Sequence, residues 1–599
     1  MVPIHQILCF LTLLFVLGHA DKPYSDPLGS TDFKGKWEWI SENSGVSAMH
    51  AILLPKLNKV LMYDATVWRI SKIPLPPEKM PSRIANEETG ELDCWCHSVL
   101  FDYETAKLTA LKIEHDTWCS SGGLTVDGNL VSTGGNGKGA NTVRYLSTCE
   151  NCDWREYPAS LADPRWYSTQ VTLPDGGFMV FGGRGALSYE YIPIEGQTNK
   201  MATFLPLLQQ TSDKLNAQTQ FNIENNLYPF VHLSPDGNLF IFSNNRSILL
   251  NPKTNRVVRE FPVLPGGSRN YPASGMSVLL PLRLKLGKMK KINAEVLICG
   301  GAPWDSFYYA ETQKRFLPAL QDCGRIQITK PNSVWKIEKM PSPRVMGDMM
   351  ILPNGDVVMV NGAQTGTSAW NDAEGPNLTP VLYIPKGPKG QRFKELAPTT
   401  IPRMYHSSAV MLPDGKVLIA GSNTHDGYDF NAKYPTELRV EKFSPPYLDS
   451  SLAGLRQQIL VELSEKEMSY GKQFTVKVTS SEPKLNKNEV KVTMYAPAFA
   501  THGISMNQRL LILGLVDVVS KVSTPVVHSI TAKAPSSGEV APPGYYLLSV
   551  VYKKVPSAAM WVQIKYILAH VISIYIFCLF FLPTFIGKLG KIVVCLWRS

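Results

Sequence analysis

The chain has 599 residues, 44% of them hydrophobic and 18% charged, which excludes disorder as its main state and exceeds one ordinary domain. Its 44 glycines and 44 prolines set many turns between short elements, a composition that favours an all-β protein. The net charge of +10 is spread without a basic run, which argues against nucleic acid and leaves anionic cell-wall polysaccharide or a negatively charged cell surface as a weak electrostatic neighbour.

Residues 1–20 carry an apolar run from Ile7 to Leu17, then Gly18-His19-Ala20. This reads as a secretory signal cleaved near Ala20, although no Lys or Arg precedes the run. The remainder is therefore expected outside the cell, in the cell wall.

From residue 35 to residue 440 one strand-turn-strand unit recurs. Clear copies centre on Asp127-Gly128, Asp175-Gly176, Asp236-Gly237, Asn354-Gly355 and Asp414-Gly415. Such dipeptides suit the positive φ angles of tight hairpins. Two degenerate copies, Ala51 to Asp64 with Pro55 in the turn and Met276 to Gly301 with a long Lys-rich hairpin, complete the set. The spacing predicts a seven-bladed kelch-like β-propeller, because radial repetition is what a recurring blade builds.

Residues at one repeat position of a propeller share one height around its axis. The place eight residues before the turn Asp or Asn gives Cys119, Tyr167, Tyr228, Met346 and His406. The degenerate copies, aligned on their prolines, add Ala48 and Ser274. A thiol, a phenol and an imidazole are thus expected on one ring, whereas any of them alone would read as core.

The ten cysteines become seven when Cys9, Cys578 and Cys595 in the two terminal hydrophobic segments are set aside. An odd number in an oxidising compartment leaves one thiol over. Three disulfides are expected among Cys94, Cys96, Cys149, Cys152, Cys299 and Cys323, with Cys299–Cys323 the preferred local pair. Cys149 and Cys152 have zinc half-site spacing, but no second pair matches it. Gly134 to Gly139 lacks the Ser or Thr of a phosphate loop.

Residues 443–563 read as a C-terminal Ig-like β-sandwich, with strands expected at Gln473–Thr479, Glu489–Ala496, Gln508–Leu515, Val526–Lys533 and Tyr545–Tyr552. Between two of them, Ala500-Thr501-His502-Gly503 forms a loop able to carry a histidine to the propeller axis. By spacing alone, His97 and His528 are comparable surface histidines. Residues 566–587 are uncharged apart from His570 and as a helix would span about 33 Å. Lys588, Lys591 and Arg598 follow, so this segment is expected to be a plasma-membrane anchor with its basic end in the cytosol; apolar sequence appended by a misread coding boundary is the alternative. Asn245 and Asn377 stand in glycosylation acceptor motifs, the second weakened by Pro380.

Trp118-Cys119-Ser120-Ser121-Gly122-Gly123, Arg165-Trp166-Tyr167-Ser168, Arg403-Met404-Tyr405-His406-Ser407-Ser408 and Ala500-Thr501-His502 resemble, in order, the motifs of the copper radical oxidases. The similarity is greatest to the plant glyoxal oxidase-related, or aldehyde oxidase, branch of these galactose oxidase-like proteins. The resemblance implies Cu(2+) held by Tyr167, Tyr405, His406 and His502, and a thioether joining Cys119 to the Tyr167 ring, which would account for the odd thiol. It implies that Tyr405 acts as a general base and that Tyr167, as a radical, accepts one of the two electrons. Galactose oxidase has a tryptophan shielding the cross-link after the third blade's Gly-Gly; here Gly182-Gly183 is followed by Arg184-Gly185, with Trp166 as a substitute from the other side.

Copper suits this donor set because two imidazoles and two phenols favour tetragonal N,O coordination of Cu(II), and zinc could not change oxidation state. A small aldehyde substrate and O2 are the implied reactants, with hydrogen peroxide as a product. The alternatives are a galactose or primary alcohol oxidase, and a non-catalytic propeller that binds a glycan or protein. Tyr228 is a candidate supporting residue, and Arg165, Arg344 and Arg403 are expected to form recurring blade salt bridges.

Overall fold

A computed structural model describes residues 31–565, apart from 68–70, 72, 82, 87–88, 215–221, 288–290 and 522–525. The expected signal over 1–20 and anchor over 566–587 lie outside the described residues. Among the described residues no helix is long and apolar enough to cross a membrane.

Among the described residues seven antiparallel sheets surround one axis, six of them four-stranded and that of the first blade extended to six strands by a hairpin from the C-terminal domain. The innermost strand of each, in chain order, is His50–Leu54, Ser121–Leu124, Thr169–Thr172, Phe230–Leu233, Met276–Leu279, Asp348–Ile351 and Ser407–Met411. These and the strands that follow them are almost wholly buried, as in Val357–Val360 and Val417–Gly421. Burial on both faces explains why they read as continuous apolar runs rather than alternating ones. The last blade takes its outer strand, Lys36–Ser41, from the start of the chain, paired with Val440–Ser444. That strand passes beyond residue 440, where the repeat was expected to end, and closes the ring non-covalently.

The repeated turns differ from two-residue hairpins. Only the glycine is left-handed, with φ +81° at Gly128, +87° at Gly176, +84° at Gly237, +94° at Gly355 and +85° at Gly415. Each glycine N–H donates to the carbonyl three residues back, as Gly355 does to Leu352 at 2.8 Å. The Asp or Asn is not left-handed, and in four of the five copies its side chain accepts a backbone N–H two residues on, as Asp175 Oδ1 does from Gly177 at 3.0 Å; in the first, Asn129 N donates to Thr125 Oγ1 instead. This is the longer hairpin with one left-handed glycine, so Asp-Gly marks the turn for a different reason from the one expected.

The C-terminal domain packs two sheets face to face. One contains Gln458–Ile459, Gln473–Thr479, Val527–Lys533 and Gly514–Lys521. The other contains Arg509–Ile512, Val490–Ala496, Gly544–Tyr552, Met560–Lys565 and Glu467–Ser469. Phe474, Val476 and Val478 alternate inward onto Val492, Met494, Ile530 and Val550. The segment expected as one strand over Gln508–Leu515 instead breaks near Leu513 and feeds both sheets. At the edge of the second sheet, Leu282–Arg283 from the Lys-rich fifth-blade hairpin pairs in parallel with Leu511 and Ile512, tying the domains together.

Cys299 and Cys323 are disulfide-bonded across adjacent strands of the fifth blade, as expected, and Cys149 is bonded to Cys152. Cys94 and Cys96 carry no disulfide, so two of the three expected bridges are present among the described residues. Asn377 is buried, and its amide donates to the Pro343 carbonyl at 3.1 Å, which disfavours it as a glycosylation acceptor.

Candidate metal centre

The repeat-derived ring is a real structural layer. Cys119, Tyr167, Tyr228, Ser274, Met346 and His406 all have positive φ, between +38° and +127°. Such backbone in non-glycine residues costs on the order of 1 kcal/mol or more each and persists only where the surroundings impose it. Here the imposition is blade-to-blade hydrogen bonding: Tyr167 N donates to Cys119 O at 3.1 Å, Tyr228 N to Tyr167 O at 2.8 Å and Met346 N to Ser274 O at 2.7 Å. The turn that makes these bonds aims the side chains at the axis. Ala48, the seventh member, does not share the left-handed backbone.

His502 reaches this layer from the sandwich. The hairpin Phe499–Thr501 and Ile504–Met506 enters the propeller and adds to the innermost strand of the first blade, with His50 opposite Thr501. The residues after it fasten it to the ends of other blades. Asn507 accepts from Thr172 N at 2.7 Å and donates to Gly122 O at 3.0 Å. Gln508 donates to Met349 O at 3.0 Å, and Arg509 donates to Leu233 O. At the tip, Gly503 has φ +77°, and a Cβ there would lie 2.5 Å from Gly347 O; only glycine lets the hairpin sit this deep.

Cys119, His406 and His502 form a buried group with ligand atoms within 4.8 Å of one another. His502 Nε2 lies 2.9 Å from His406 Nε2 and 3.1 Å from Cys119 Sγ, while its Nδ1 meets Thr501 Oγ1 at 2.6 Å. Tyr405 packs on the His406 ring at 3.6 Å between centroids. Tyr167 lies beside the Cys119 thiol on the neighbouring blade. Burial pushes both imidazoles well below their usual range, and each also feels neighbouring histidines; the rings are therefore neutral, the form that offers a lone pair. Burial likewise raises Cys119, Tyr167 and Tyr405 well above their usual values, so the phenols stay protonated until a cation displaces the proton.

Tyr271 is the residue that the repeat did not reveal. Its ring stacks on Tyr167 at 4.4 Å and 29°, and its hydroxyl lies 3.2 Å from that of Tyr167 and 2.7 Å from that of Tyr405. Trp166, the expected substitute shield, is tilted at 33° with its centroid 4.9 Å away. Arg184 covers Trp166 instead, 5.3 Å from the ring centroid, and pairs with Glu224 at 2.9 Å. Tyr271 lies three residues before the ring position in a degenerate blade. Its only sequence signal was an aromatic in the entry to that blade. Tyr228 packs edge-on to Tyr167 at 5.7 Å and donates to Ser120 O at 3.0 Å.

A cavity of about 140 Å³ opens onto Tyr167, Tyr271 and Tyr405 and is walled by Trp118, Trp166 and Trp370. Trp118 and Trp370 are parallel at 5.5 Å. A second cavity, about 370 Å³, reaches Tyr405 past Met346, Met404 and His425.

The competing histidines lie elsewhere and are buried, not on the surface. His97 pairs with Asp93 at 3.0 Å, and His528 lies in the sandwich against Ser520. Arg165 pairs with Glu190 at 2.7 Å and Arg403 with Glu441 at 3.4 Å, the expected blade salt bridges. Arg344 departs from them: it donates to the carbonyls of Asn361 and Thr379 and makes no ion pair among the described residues, its charge felt only at longer range by Asp348.

Comparison with known proteins agrees with this architecture. The family described as "Glyoxal oxidase N-terminus" matches residues 49–447, and "Galactose oxidase-like, Early set domain" matches 456–564. The chain is 57% identical to "Aldehyde oxidase GLOX1" of Arabidopsis thaliana over 89% of this chain and 85% of that protein. It is 42% identical to "Aldehyde oxidase GLOX" of Vitis pseudoreticulata, over 89% of this chain and 98% of the relative. A solved fungal alcohol oxidase in complex with copper superposes with a TM-score of 0.66 at 19% identity, covering 89% of this chain and all of the other, 100%. That last likeness is one of fold.

Proposed function

The chain belongs to the glyoxal oxidase family of galactose oxidase-like oxidases, and from that premise we propose that it oxidises small aldehydes of the glyoxal or methylglyoxal type to carboxylic acids, reducing O2 to hydrogen peroxide. The observation that carries this reading is the convergence of Cys119, Tyr167, Tyr405, His406 and His502 at one level of the axis. The donors fit a tetragonal ion: two nitrogens in adjacent positions at about 2.0 Å from a metal would be about 2.8 Å apart, and His406 and His502 Nε2 are 2.9 Å apart. Tyr167, Tyr405, His406 and His502 would hold copper. When bound it supplies Lewis acidity and acceptance of one electron.

The protein's own groups account for the rest. A proton on His502 Nδ1, donated to Thr501 Oγ1 at 2.6 Å, leaves Nε2 as the lone pair facing the centre. Tyr405 Oη, as phenolate, takes the proton from a hydroxyl of the aldehyde hydrate. A thioether joining Cys119 to the Tyr167 ring would make that ring a one-electron acceptor, which as a radical would take the hydrogen atom from carbon and supply the second oxidising equivalent. A sulfur on the ring spreads the unpaired spin and makes the phenol easier to oxidise. Tyr271 and Trp166 cover the ring and exclude water. The balance is RCH(OH)2 + O2 → RCOOH + H2O2. The small aromatic-walled cavity beside Tyr405 admits such substrates.

We place this activity outside the cell, in the cell wall, with attachment to the plasma membrane through residues 566–587. The disulfides Cys149–Cys152 and Cys299–Cys323 support an oxidising compartment.

The test is the mass of tryptic peptides from protein loaded with copper, together with a peroxide assay. Peptides containing Cys119 and Tyr167 are expected to be joined with the loss of two hydrogens, and methylglyoxal to yield peroxide. Separate peptides, and no peroxide from any aldehyde, would overturn the reading.

A further inference from the structure

At the opposite end of the blades from the metal centre, the fifth and sixth blades and the sandwich enclose a cavity of about 730 Å³. In the sixth blade the strand Asp348–Ile351 separates Met346, which lines the cavity at Tyr405, from Asn354 and Gly355, which line this one. The Lys-rich hairpin of the fifth blade, unused by the oxidase reading, forms one wall through Arg283 and Lys285, and Lys386, Lys394, Lys491 and Lys554 face it.

The charge of this cavity is not balanced. Arg325 pairs with Glu295 at 2.5 Å, but Arg283, Lys386 and Lys491 have no ion pair among the described residues. Partial burial lowers all three below their usual values, and repulsion from Arg283 adds to this at Lys386 and Lys491, against the smaller opposing pull of Glu295 on the first and Asp356 on the second. Folding thus holds three cations together at a cost, and an anion placed between them would relieve it.

We propose that this cavity binds an acidic polysaccharide, a chain of hydroxylated rings carrying regularly spaced anions. The amides of Asn293 and Gln391 stand among the cations and match ring hydroxyls, while the cations match the anions. Among the described residues no aromatic side chain lines the cavity, so stacking on neutral sugars or on nucleic-acid bases has no platform there. The surface is concave, a shape that a flat membrane does not fill.

Affinity electrophoresis of the full chain through gels containing polygalacturonate, heparin or neutral dextran tests the proposal. The native protein is expected to be retarded by an acidic polysaccharide and not by dextran; polygalacturonate against heparin tells carboxylate from sulfate as the anion. The variant Arg283→Gln, Lys386→Gln, Lys491→Gln should bind at least tenfold more weakly. Lys200→Gln, Lys253→Gln, Arg256→Gln, which removes the same charge from exposed sites elsewhere, should change binding less than twofold. Should the first variant fail to fold, the double change Arg283→Gln, Lys386→Gln, which leaves the more deeply placed Lys491 intact, reads the same effect. Peroxide production should be unchanged throughout, so this result stands apart from the oxidase test. Equal losses in both variants, no retardation by either acidic polysaccharide, or equal groove-dependent binding of polyglutamate or phosphatidylserine vesicles would overturn the proposal.

Discussion

Tyr271 lies flat against Tyr167, ring centroids 4.4 Å apart, and its hydroxyl is 2.7 Å from that of Tyr405. One side chain thus touches both phenols of the centre, combining a stacking role with a polar one. Tyr271→Phe keeps the stack and removes the hydroxyl. Steady-state kinetics should show kcat/KM reduced about 5- to 20-fold, the worth of one hydrogen bond of about 1–1.8 kcal/mol, with Cys119 and Tyr167 still joined. An unchanged kcat/KM would limit Tyr271 to packing.

Tyr405→Phe separates metal binding from proton transfer. Turnover should fall by about 10²–10⁴-fold, the range for a positioned base, while His406 and His502 retain close to one copper per chain by elemental analysis. Activity within twofold of the native protein would remove Tyr405 from proton transfer.

Gly503→Ala tests how the sandwich delivers its histidine. The new Cβ would lie 2.5 Å from Gly347 O on a backbone of φ +77°, so the hairpin must withdraw or strain by about 2–4 kcal/mol. Thermal unfolding should move to lower temperature and copper per chain should fall. Native copper content with an unshifted midpoint would show that the hairpin tolerates the methyl group.

Asp348 predicts a pH effect on stability. Its buried carboxyl, pushed up to about 7 by desolvation despite the amide of Asn361 at 2.8 Å, holds its proton more tightly folded than unfolded. Its stabilising contribution is therefore complete below about pH 4 and disappears as pH rises through about 7, at most about 4 kcal/mol. Asp348→Asn should flatten that part of the stability profile between pH 4.5 and 7.5, measured by denaturant unfolding. A variant profile parallel to the native one would contradict the assignment.

The repeat made the blades and their axial ring legible because one turn chemistry is used again and again: an Asp or Asn, then a left-handed glycine. It located Cys119, Tyr167 and His406 through a fixed offset, and the left-handed backbone at those places explains why the offset is exact. His502 was out of reach of that logic, since it comes from a different domain and only the family motif singled it out. Tyr271 was hidden for another reason: at the same offset the five clear copies have Asp116, Pro164, Asn225, Pro343 and Arg403, so its role is set by the path of one entry loop. Arg344 kept its place in the repeat while losing its acidic partner, a change that spacing alone does not register.

The pairing of Lys36–Ser41 with Val440–Ser444, and the arrival of Thr501 beside His50, give the molecule two seams whose halves are synthesised far apart in time. While the chain is emerging from the ribosome, the first blade waits with an open inner edge and the last with an open outer one, and no copper can find its full set of donors. Such long-range closure makes for slow folding. Premature termination between Ser444 and the sandwich hairpin would yield a closed wheel lacking a hub.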